Sequence, residues 1–213
     1  MFRFWGKYLP SNIELCAIQL PGRETRIKES LITKWDDLLP SLIQALSPFI
    51  EEYPFVFFGH SLGALISFEV VCKLRREKLP IPEYLFVCGR RPPHIPIDNL
   101  RHQAPNDILI STLREYGGTP EAVLQNQELM ELFLPVLRAD FTLNEKYFYF
   151  PEAPLEFPIV AFRGTNDMEV NLQKLSQWEQ YTISNFTLHE FPGGHMFFQK
   201  EPKTLIEKIL KFL

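Results

Sequence analysis

Residues 55–70 constrain the fold more than any other stretch of the sequence. The four apolar residues of 55–58 predict a strand that is buried on both faces, and from Leu62 onward the apolar residues keep helical spacing. Between these two runs lies Gly59-His60-Ser61-Leu62-Gly63, a G-x-S-x-G motif at the bend. A strand, a sharp turn and a helix in this order place a serine hydroxyl above the end of a sheet.

The chemistry of a nucleophilic serine explains the residue types of this motif. Ser61 at the apex takes a strained backbone conformation, and Gly59 and Gly63 let the strand and the helix pass close to each other. Because the helix begins at once, the N–H of Leu62 points to where an oxyanion forms, and the helix dipole adds positive potential. Chance is the alternative explanation, and the flanking strand and helix make it much rarer. We therefore predict that Ser61 is the nucleophile and that Leu62 is an oxyanion donor.

Strands and helices alternate along the rest of the chain, which is typical of βαβ units. We therefore predict an α/β fold with a mostly parallel sheet, helices on both faces, and a single domain over residues 1–213. Sites in such sheets lie beyond the carboxyl ends of the strands. The further predicted strands are 13–20, 84–88, 159–162 and 186–191, and the predicted helices are 35–50, 172–181 and 202–213, with a short helix in 2–9.

One segment breaks this alternation. About 70 residues separate the strand that ends near Cys88 from the strand that starts near Ile159, twice what a crossover needs. Helical patterns near 106–116 and 120–147 predict that residues 92–154 form a helical lid insertion. Its apolar residues either line an acyl pocket or pack against each other and the sheet, and for any one of them packing is favoured. They are Leu109, Leu113, Met130, Phe133, Leu137 and Phe141.

A serine hydroxyl needs a base, and five histidines compete for this role. His195 lies in a Gly-rich loop just past a strand, where its side chain can reach over the sheet, so we predict that it is the base. His60 adjoins Ser61, but its side chain is expected to point away and to pack beside the turn. His189 lies inside a strand, and His94 and His102 belong to the start of the insertion.

Two carboxylates compete to orient that base. Asp167 follows its strand by a few residues, and its separation of 28 positions from His195 (195 − 167) leaves room for one helix and one strand. Asp140 is the rival, but it lies in the helical insertion, where an ion pair with Arg138 or Lys146 is the simpler expectation. We predict Ser61, Asp167 and His195 as the catalytic residues, in the chain order of α/β-hydrolases.

Composition excludes several other classes of function. The net charge of −4 argues against nucleic acid as the main partner, and no apolar run is long enough to span a bilayer. Cys16, Cys72 and Cys88 have apolar neighbours and no CxxC spacing, so they are expected to be core residues in a reducing cytosol and not metal ligands. These observations predict a cytoplasmic enzyme with no metal.

Several further stretches carry a resemblance over nearly the whole chain. The chain resembles the type II thioesterases of nonribosomal peptide and polyketide synthesis, the gramicidin S thioesterase group. The elbow motif alone is shared by many hydrolases, whereas the Pro-Gly-Arg-Glu and Leu-Arg-Ala-Asp-Phe stretches are far more specific. The matching segments are Ile18-Gln19-Leu20-Pro21-Gly22-Arg23-Glu24, Phe58-Gly59-His60-Ser61-Leu62-Gly63, Gly89-Arg90-Arg91, Gly117-Gly118-Thr119-Pro120, Leu132-Phe133-Leu134-Pro135, Leu137-Arg138-Ala139-Asp140-Phe141 and Pro192-Gly193-Gly194-His195.

The resemblance implies an α/β-hydrolase fold and an enzyme that needs no cofactor. Such enzymes are discrete proteins that remove wrong or stalled acyl groups from the phosphopantetheine thiols of acyl or peptidyl carrier proteins. A medium-chain fatty acyl thioesterase or a general esterase is the alternative activity. The class with a different function is a non-catalytic relative that binds carrier proteins.

Two further expectations follow from the resemblance. Family members start earlier, with an apolar strand and a Gly-rich loop that supplies the second oxyanion N–H, so we expect either such a segment upstream of Met1 or a degraded copy of the gene. Arg90 and Arg91 leave a strand at the edge of the site, and one of them is expected to dock the acidic carrier protein and its phosphate. An internal ion pair that holds the base of the lid is an equally good interpretation of these arginines.

Overall fold

The computed structural model describes residues 2–213, and its centre is a four-stranded, fully parallel sheet. The strands are β1 (Phe57–His60), β2 (Leu85–Cys88), β3 (Ile159–Gly164) and β4 (Phe186–Phe191), in the spatial order β1-β2-β3-β4. Each strand therefore adds next to the strand before it in the chain. The predicted α/β fold is confirmed, and all four carboxyl ends lie at one edge of the sheet.

Alternating side chains of the central strands fill two separate cores, one on each face of the sheet. Leu85 and Val87 of β2 belong to the first core, whereas Phe86 and Cys88 belong to the second. Every residue of β2 and β3 is buried. Because helices cover both faces, these strands need apolar side chains at consecutive positions, which explains their continuous apolar runs.

Helices at the positions predicted from the sequence pack against the sheet and complete the two cores. The first core contains buried residues of α1 (Trp35–Ile50) and α2 (Leu62–Glu77), and the second contains α7 (Pro202–Ile209) and Trp5 of a short 3-10 helix, Trp5–Tyr8. The predicted helix 172–181 is α6 (Leu172–Ser176) followed by a 3-10 turn, Gln177–Tyr181. Among residues 2–213, none of the helices combines the length and the apolar character that a bilayer crossing requires.

The predicted strand at 13–20 is wrong, because these residues form no strand in the described part of the chain. Their alternating apolar pattern favours a strand, but a strand also needs a neighbouring backbone with which to exchange hydrogen bonds. Here Ile18 is 51% exposed and Cys16 is exposed, so the segment contributes little to the core and the expectation of a buried Cys16 is wrong as well. The strand expected upstream of Met1 lies outside the described residues.

The insertion between β2 and β3 consists of three helices with a small core of their own. They are α3 (Asn106–Tyr116), α4 (Glu121–Leu124) and α5 (Gln127–Glu145). Of the six apolar residues considered for an acyl pocket, five belong to this cluster, and Phe133 is 48% exposed. Packing is therefore the role of these five residues in this structure, as the sequence favoured.

Candidate active site

The turn after β1 holds Ser61 in a backbone conformation that few residues other than glycine adopt. Its φ is 52° and its ψ is −117°, so the strain predicted from the motif is present. The N–H of Ser61 donates to the carbonyl of Cys88 at 2.8 Å, and its own carbonyl accepts from the N–H of Ala64 at 3.1 Å. The end of β2 and the first turn of α2 thus fix the serine between them.

Gly59 is the position where the turn requires a missing side chain. A Cβ built on Gly59 lies 2.3 Å from the carbonyl oxygen of Gly63, so any larger residue forces β1 and α2 apart. A Cβ on Gly63 meets nothing within 4 Å. The predicted close approach is therefore confirmed, but only Gly59 needs to be glycine for it, since Gly63 contributes just its backbone.

Asp167 and His195 form a buried, directly hydrogen-bonded pair. The Nδ1 of His195 lies 2.9 Å from the Oδ2 of Asp167, and each residue is only 5% exposed. The other carboxylate oxygen, Oδ1, accepts the N–H of Glu169 at 2.9 Å and that of Val170 at 3.3 Å. An ionised carboxylate only accepts, so Nδ1 carries the proton and Nε2 is left as an acceptor.

The two loops that carry this pair are tied together by their backbones. The N–H of Thr165 donates to Phe191, and the N–H of Asn166 donates to Gly193, both at 2.8 Å. A Cβ on Gly164 lies 2.2 Å from the carbonyl oxygen of Gly194, so glycine at the end of β3 allows the His195 loop to approach. Backbone contacts therefore hold the two loops at the separation that the hydrogen bond between His195 and Asp167 requires.

His60 supports the base from the position next to the serine. Its Nε2 donates to the carbonyl oxygen of His195 at 2.9 Å, and the two ring centroids lie 4.6 Å apart. Burial, followed by the proximity of His195, lowers the pKa of His60 from 6.5 to about 3, so it is neutral near pH 7. The prediction that His60 packs beside the turn is confirmed, but nothing in the sequence indicated its hydrogen bond to His195.

The remaining histidines have partners of their own. His94 shares a hydrogen bond with the hydroxyl of Tyr181 at 2.7 Å, and His102 contacts Glu145 at 2.6 Å. The ring of His189 stacks on Phe162 in the sheet. The structure thus brings His195 together with Asp167, whereas His94 and His102 are hydrogen-bonded to other residues.

Asp140, the rival carboxylate, is engaged by an arginine from a distant part of the chain. Both of its oxygens accept from the guanidinium group of Arg23, at 2.9 Å each. Burial raises the pKa of Asp140, and Arg23 opposes that shift. The expected pairing with Arg138 or Lys146 is wrong, because the Pro-Gly-Arg-Glu segment supplies a bidentate partner and Arg138 bonds to Asn106 instead.

Arg90 and Arg91 are both internal, being 5% and 7% exposed. The Nη1 of Arg90 donates to the Oδ1 of Asn144, and its backbone carbonyl accepts from Trp178 at 2.7 Å. The Nη2 of Arg91 lies 4.0 Å from the Oε2 of Glu169. Burial, with a smaller contribution from Arg91, lowers the pKa of Arg90 to about 9. These contacts fit the internal role considered for the arginines. Docking of a carrier protein stays a prediction, and neither guanidinium group is exposed to meet a partner in this structure.

Sequence reasoning also missed an aromatic neighbour of the base. The ring of Tyr116, at the end of α3, lies 4.7 Å from the imidazole of His195, measured between centroids.

Ser61, Asp167 and His195 follow β1, β3 and β4 respectively, so all three stand at the same edge of the parallel sheet. No cluster of three potential metal ligands occurs within residues 2–213.

Comparisons with known proteins are consistent over the whole chain. The family model described as "Thioesterase domain" matches residues 1–213. The chain is 41% identical to the gramicidin S biosynthesis protein GrsT of Aneurinibacillus migulanus, over 100% of this chain and 83% of that protein. Among solved structures, it is similar to the RedJ thioesterase from the prodiginine pathway of Streptomyces coelicolor, with a TM-score of 0.94, 33% identity and coverage of 100% of this chain and 84% of that one. It is also similar to ClbQ from the colibactin NRPS/PKS pathway, with a TM-score of 0.92, 30% identity and coverage of 99% and 89%.

Proposed function

The chain belongs to the thioesterase family, and we propose that it is an editing enzyme that hydrolyses acyl thioesters on the phosphopantetheine arms of carrier proteins. The observation that carries the proposal is the buried hydrogen bond between His195 and Asp167 beside a strained serine turn. The similarity to GrsT over all 213 residues supports the choice of substrate class. The partners we propose are acyl or peptidyl carrier proteins of nonribosomal peptide or polyketide synthases, in the cytoplasm.

In the first half of the proposed reaction, Ser61 attacks the thioester carbonyl. The Nε2 of His195 takes the hydroxyl proton as the new C–O bond forms, and Asp167 stabilises the resulting imidazolium through Nδ1. The N–H of Leu62, at the start of α2, is the donor that we assign to the oxyanion. His195 then returns the proton to the departing thiolate, whose thiol has a pKa near 8.5, so this protonation demands little.

In the second half, water replaces the thiol. His195 removes a proton from the water, the hydroxide attacks the acyl-Ser61 ester, and the carbonyl carbon releases the serine oxygen. The proton held by His195 returns to Ser61, and the free acid leaves. The imidazole therefore becomes positively charged in both halves, so whatever holds and stabilises the imidazolium contributes twice per turnover.

A comparison of substrates tests this proposal. A panel of carrier proteins loaded with different acyl groups is incubated with the wild type and with Ser61→Ala, and free acyl esters of the same acids are assayed in parallel. We expect the wild type to hydrolyse carrier-bound thioesters faster than the free esters, and Ser61→Ala to be inactive on both.

Each alternative function gives a different result in that experiment. Faster hydrolysis of the free esters identifies a general esterase and contradicts the proposal. Carrier binding without hydrolysis identifies a non-catalytic relative. Hydrolysis confined to medium-chain fatty acyl groups identifies a chain-releasing fatty acyl thioesterase, because an editing enzyme must accept the varied acyl groups that stall on a synthase.

A further inference from the structure

The end of helix α3 lies directly on the loop that carries His195. The ring of Tyr116 meets the imidazole at a centroid distance of 4.7 Å and an angle of 40°. Two residues later, a Cβ on Gly118 lies 2.9 Å from the Cγ of Met196, the neighbour of His195. The insertion therefore contacts the base itself and the residue that follows it.

The hydroxyl end of Tyr116 is held by an arginine fork. The Nη1 of Arg101 donates to the Tyr116 hydroxyl at 3.0 Å, and its Nη2 donates to the Oε1 of Glu169 at 2.7 Å. The guanidinium carbon of Arg101 also lies 5.6 Å from the centroid of the Tyr116 ring. Because a planar guanidinium fixes two acceptors at once, Arg101 ties the ring to Glu169 with a defined geometry.

The same arrangement reaches the carboxylate that orients the base. The backbone N–H of Glu169 donates to Oδ1 of Asp167, while the side chain of Glu169 holds Arg101. Glu169 thus anchors two of the groups that contact the imidazole, namely the carboxylate at Nδ1 and the ring of Tyr116. Arg101 precedes α3 and Glu169 lies between β3 and α6, so these contacts join the insertion to the loop that carries Asp167.

We propose that Tyr116, held by Arg101 and Glu169, is a positioning residue for His195. The inference rests on the proposed role of His195 as the catalytic base. The ring confines the imidazole to one orientation, and its π-system stabilises the imidazolium that forms in both halves of the reaction. The insertion therefore contributes to the acid–base chemistry through Tyr116.

The test is the pair Tyr116→Leu and Tyr116→Phe, assayed with a small soluble acyl thioester so that carrier docking has no influence. We expect Tyr116→Leu to lower kcat about 10-fold with a change in KM of less than about 2-fold, which corresponds to about 1.4 kcal/mol in the transition state. Tyr116→Phe keeps the ring and loses only the hydrogen bond from Arg101, so it should lower kcat by no more than about 3-fold. A rise in KM with unchanged kcat, or equal losses in both variants, overturns the proposal.

A matched aromatic substitution separates positioning from packing. Tyr84 stacks on Phe86 and contacts Phe212 at the opposite end of the sheet. Tyr84→Leu should lower the melting temperature and leave kcat per folded molecule unchanged. The rates of the wild type and of the Tyr116, Arg101 and Tyr84 variants are normalised to active sites titrated with a serine-reactive fluorophosphonate, so that a loss of folded protein is not counted as a loss of kcat.

Arg101→Gln keeps the proposal testable if Tyr116→Leu does not fold. This variant removes the fork and leaves the ring in place, so we expect a loss in kcat of about 3-fold without a change in KM. Combined with Tyr116→Phe it should cost little more than Arg101→Gln alone, because both changes remove the same hydrogen bond. Wild-type kcat in Arg101→Gln contradicts the role of the fork.

The failure of this inference differs from the failure of the proposed function. Ser61→Ala and His195→Ala are assayed beside the Tyr116 variants. If both of these keep wild-type kcat, the proposed function is wrong. If both are inactive while Tyr116→Leu retains wild-type kcat, the catalytic residues stand and the positioning role of Tyr116 is refuted.

Discussion

Replacing Asp167 with asparagine tests how the carboxylate acts on the base. In the structure, Oδ1 of Asp167 accepts two backbone N–H groups, from Glu169 and Val170, while Oδ2 faces Nδ1 of His195. In Asp167→Asn, the two backbone donors hold the amide oxygen at the Oδ1 position. The amide NH2 group then faces Nδ1 and forces it to accept, so the proton moves to Nε2, which can no longer take the proton of Ser61.

The expected loss is large because the wrong tautomer must be reversed in every turnover. Kinetic losses from this substitution in Ser-His-Asp enzymes reach about 10⁴ in kcat, equivalent to about 5.5 kcal/mol in the activation barrier. Asparagine has nearly the shape of aspartate, so the fold should be kept. The loss should therefore appear in kcat, with the melting temperature of the variant close to that of the wild type.

Asp140→Asn is the matched control, since it is the same chemical change at the rival carboxylate. It removes the bidentate ion pair between Arg23 and Asp140. The side chain of Arg23 is 24% exposed and that of Asp140 is 28% exposed, and such a pair contributes about 1 kcal/mol to stability. Because Arg23, and not His195, binds both oxygens of Asp140, we expect kcat to fall far less than in Asp167→Asn. The released thiol is measured through its reaction with a chromogenic disulfide. If Asp140→Asn is the slower variant, the carboxylate that orients the base lies in the insertion and the reasoning is refuted.

Three further predictions concern the supporting residues. Gly59→Ala should lower the free energy of unfolding in urea by about 3 kcal/mol, because its Cβ meets the Gly63 carbonyl at 2.3 Å, whereas Gly63→Ala should not destabilise. The pKa of His60 is lowered to about 3 in the folded protein, so as the pH falls below 6.5 the imidazole is protonated in the unfolded chain but stays neutral in the folded one. The free energy of unfolding should therefore decrease between pH 6.5 and pH 3. At pH 4 the decrease attributable to His60 should be roughly 3 kcal/mol, and it should be absent in His60→Gln. Arg90→Gln should lower the melting temperature and reduce kcat/KM equally for carrier-bound and free thioesters; a rise in KM for the carrier alone favours docking instead.

The parts of the site that depend on local sequence could be predicted. The turn around Ser61 is specified by consecutive residues, because the apolar strand, the small residue at Gly59 and the helical spacing after Leu62 all act within a few positions. Asp167 and His195 could be placed at strand ends for the same reason, since each follows an apolar run by a few residues. Parallel strands then bring such positions to one edge, and the observed hydrogen bond between the two agrees with that expectation.

Contacts between distant segments could not be predicted. Arg23 is 117 positions from Asp140, and no local pattern connects them. Arg101, Tyr116 and Glu169 carry no motif, and their grouping depends on how the insertion packs against the loop after β3. The segment 13–20 shows the converse error: its alternation predicts a strand, yet pairing depends on a neighbour that the pattern does not reveal.

The most direct test of the mechanism is to look for the acyl-enzyme. The wild type is mixed with a carrier protein loaded with a stable acyl group, quenched with acid within the first turnover, digested and analysed by mass spectrometry. We predict that the peptide containing Ser61 carries the mass of the acyl group, and that the adduct disappears as hydrolysis is completed. An acyl group on any other residue, or turnover with no adduct on Ser61 at any quench time, contradicts the account.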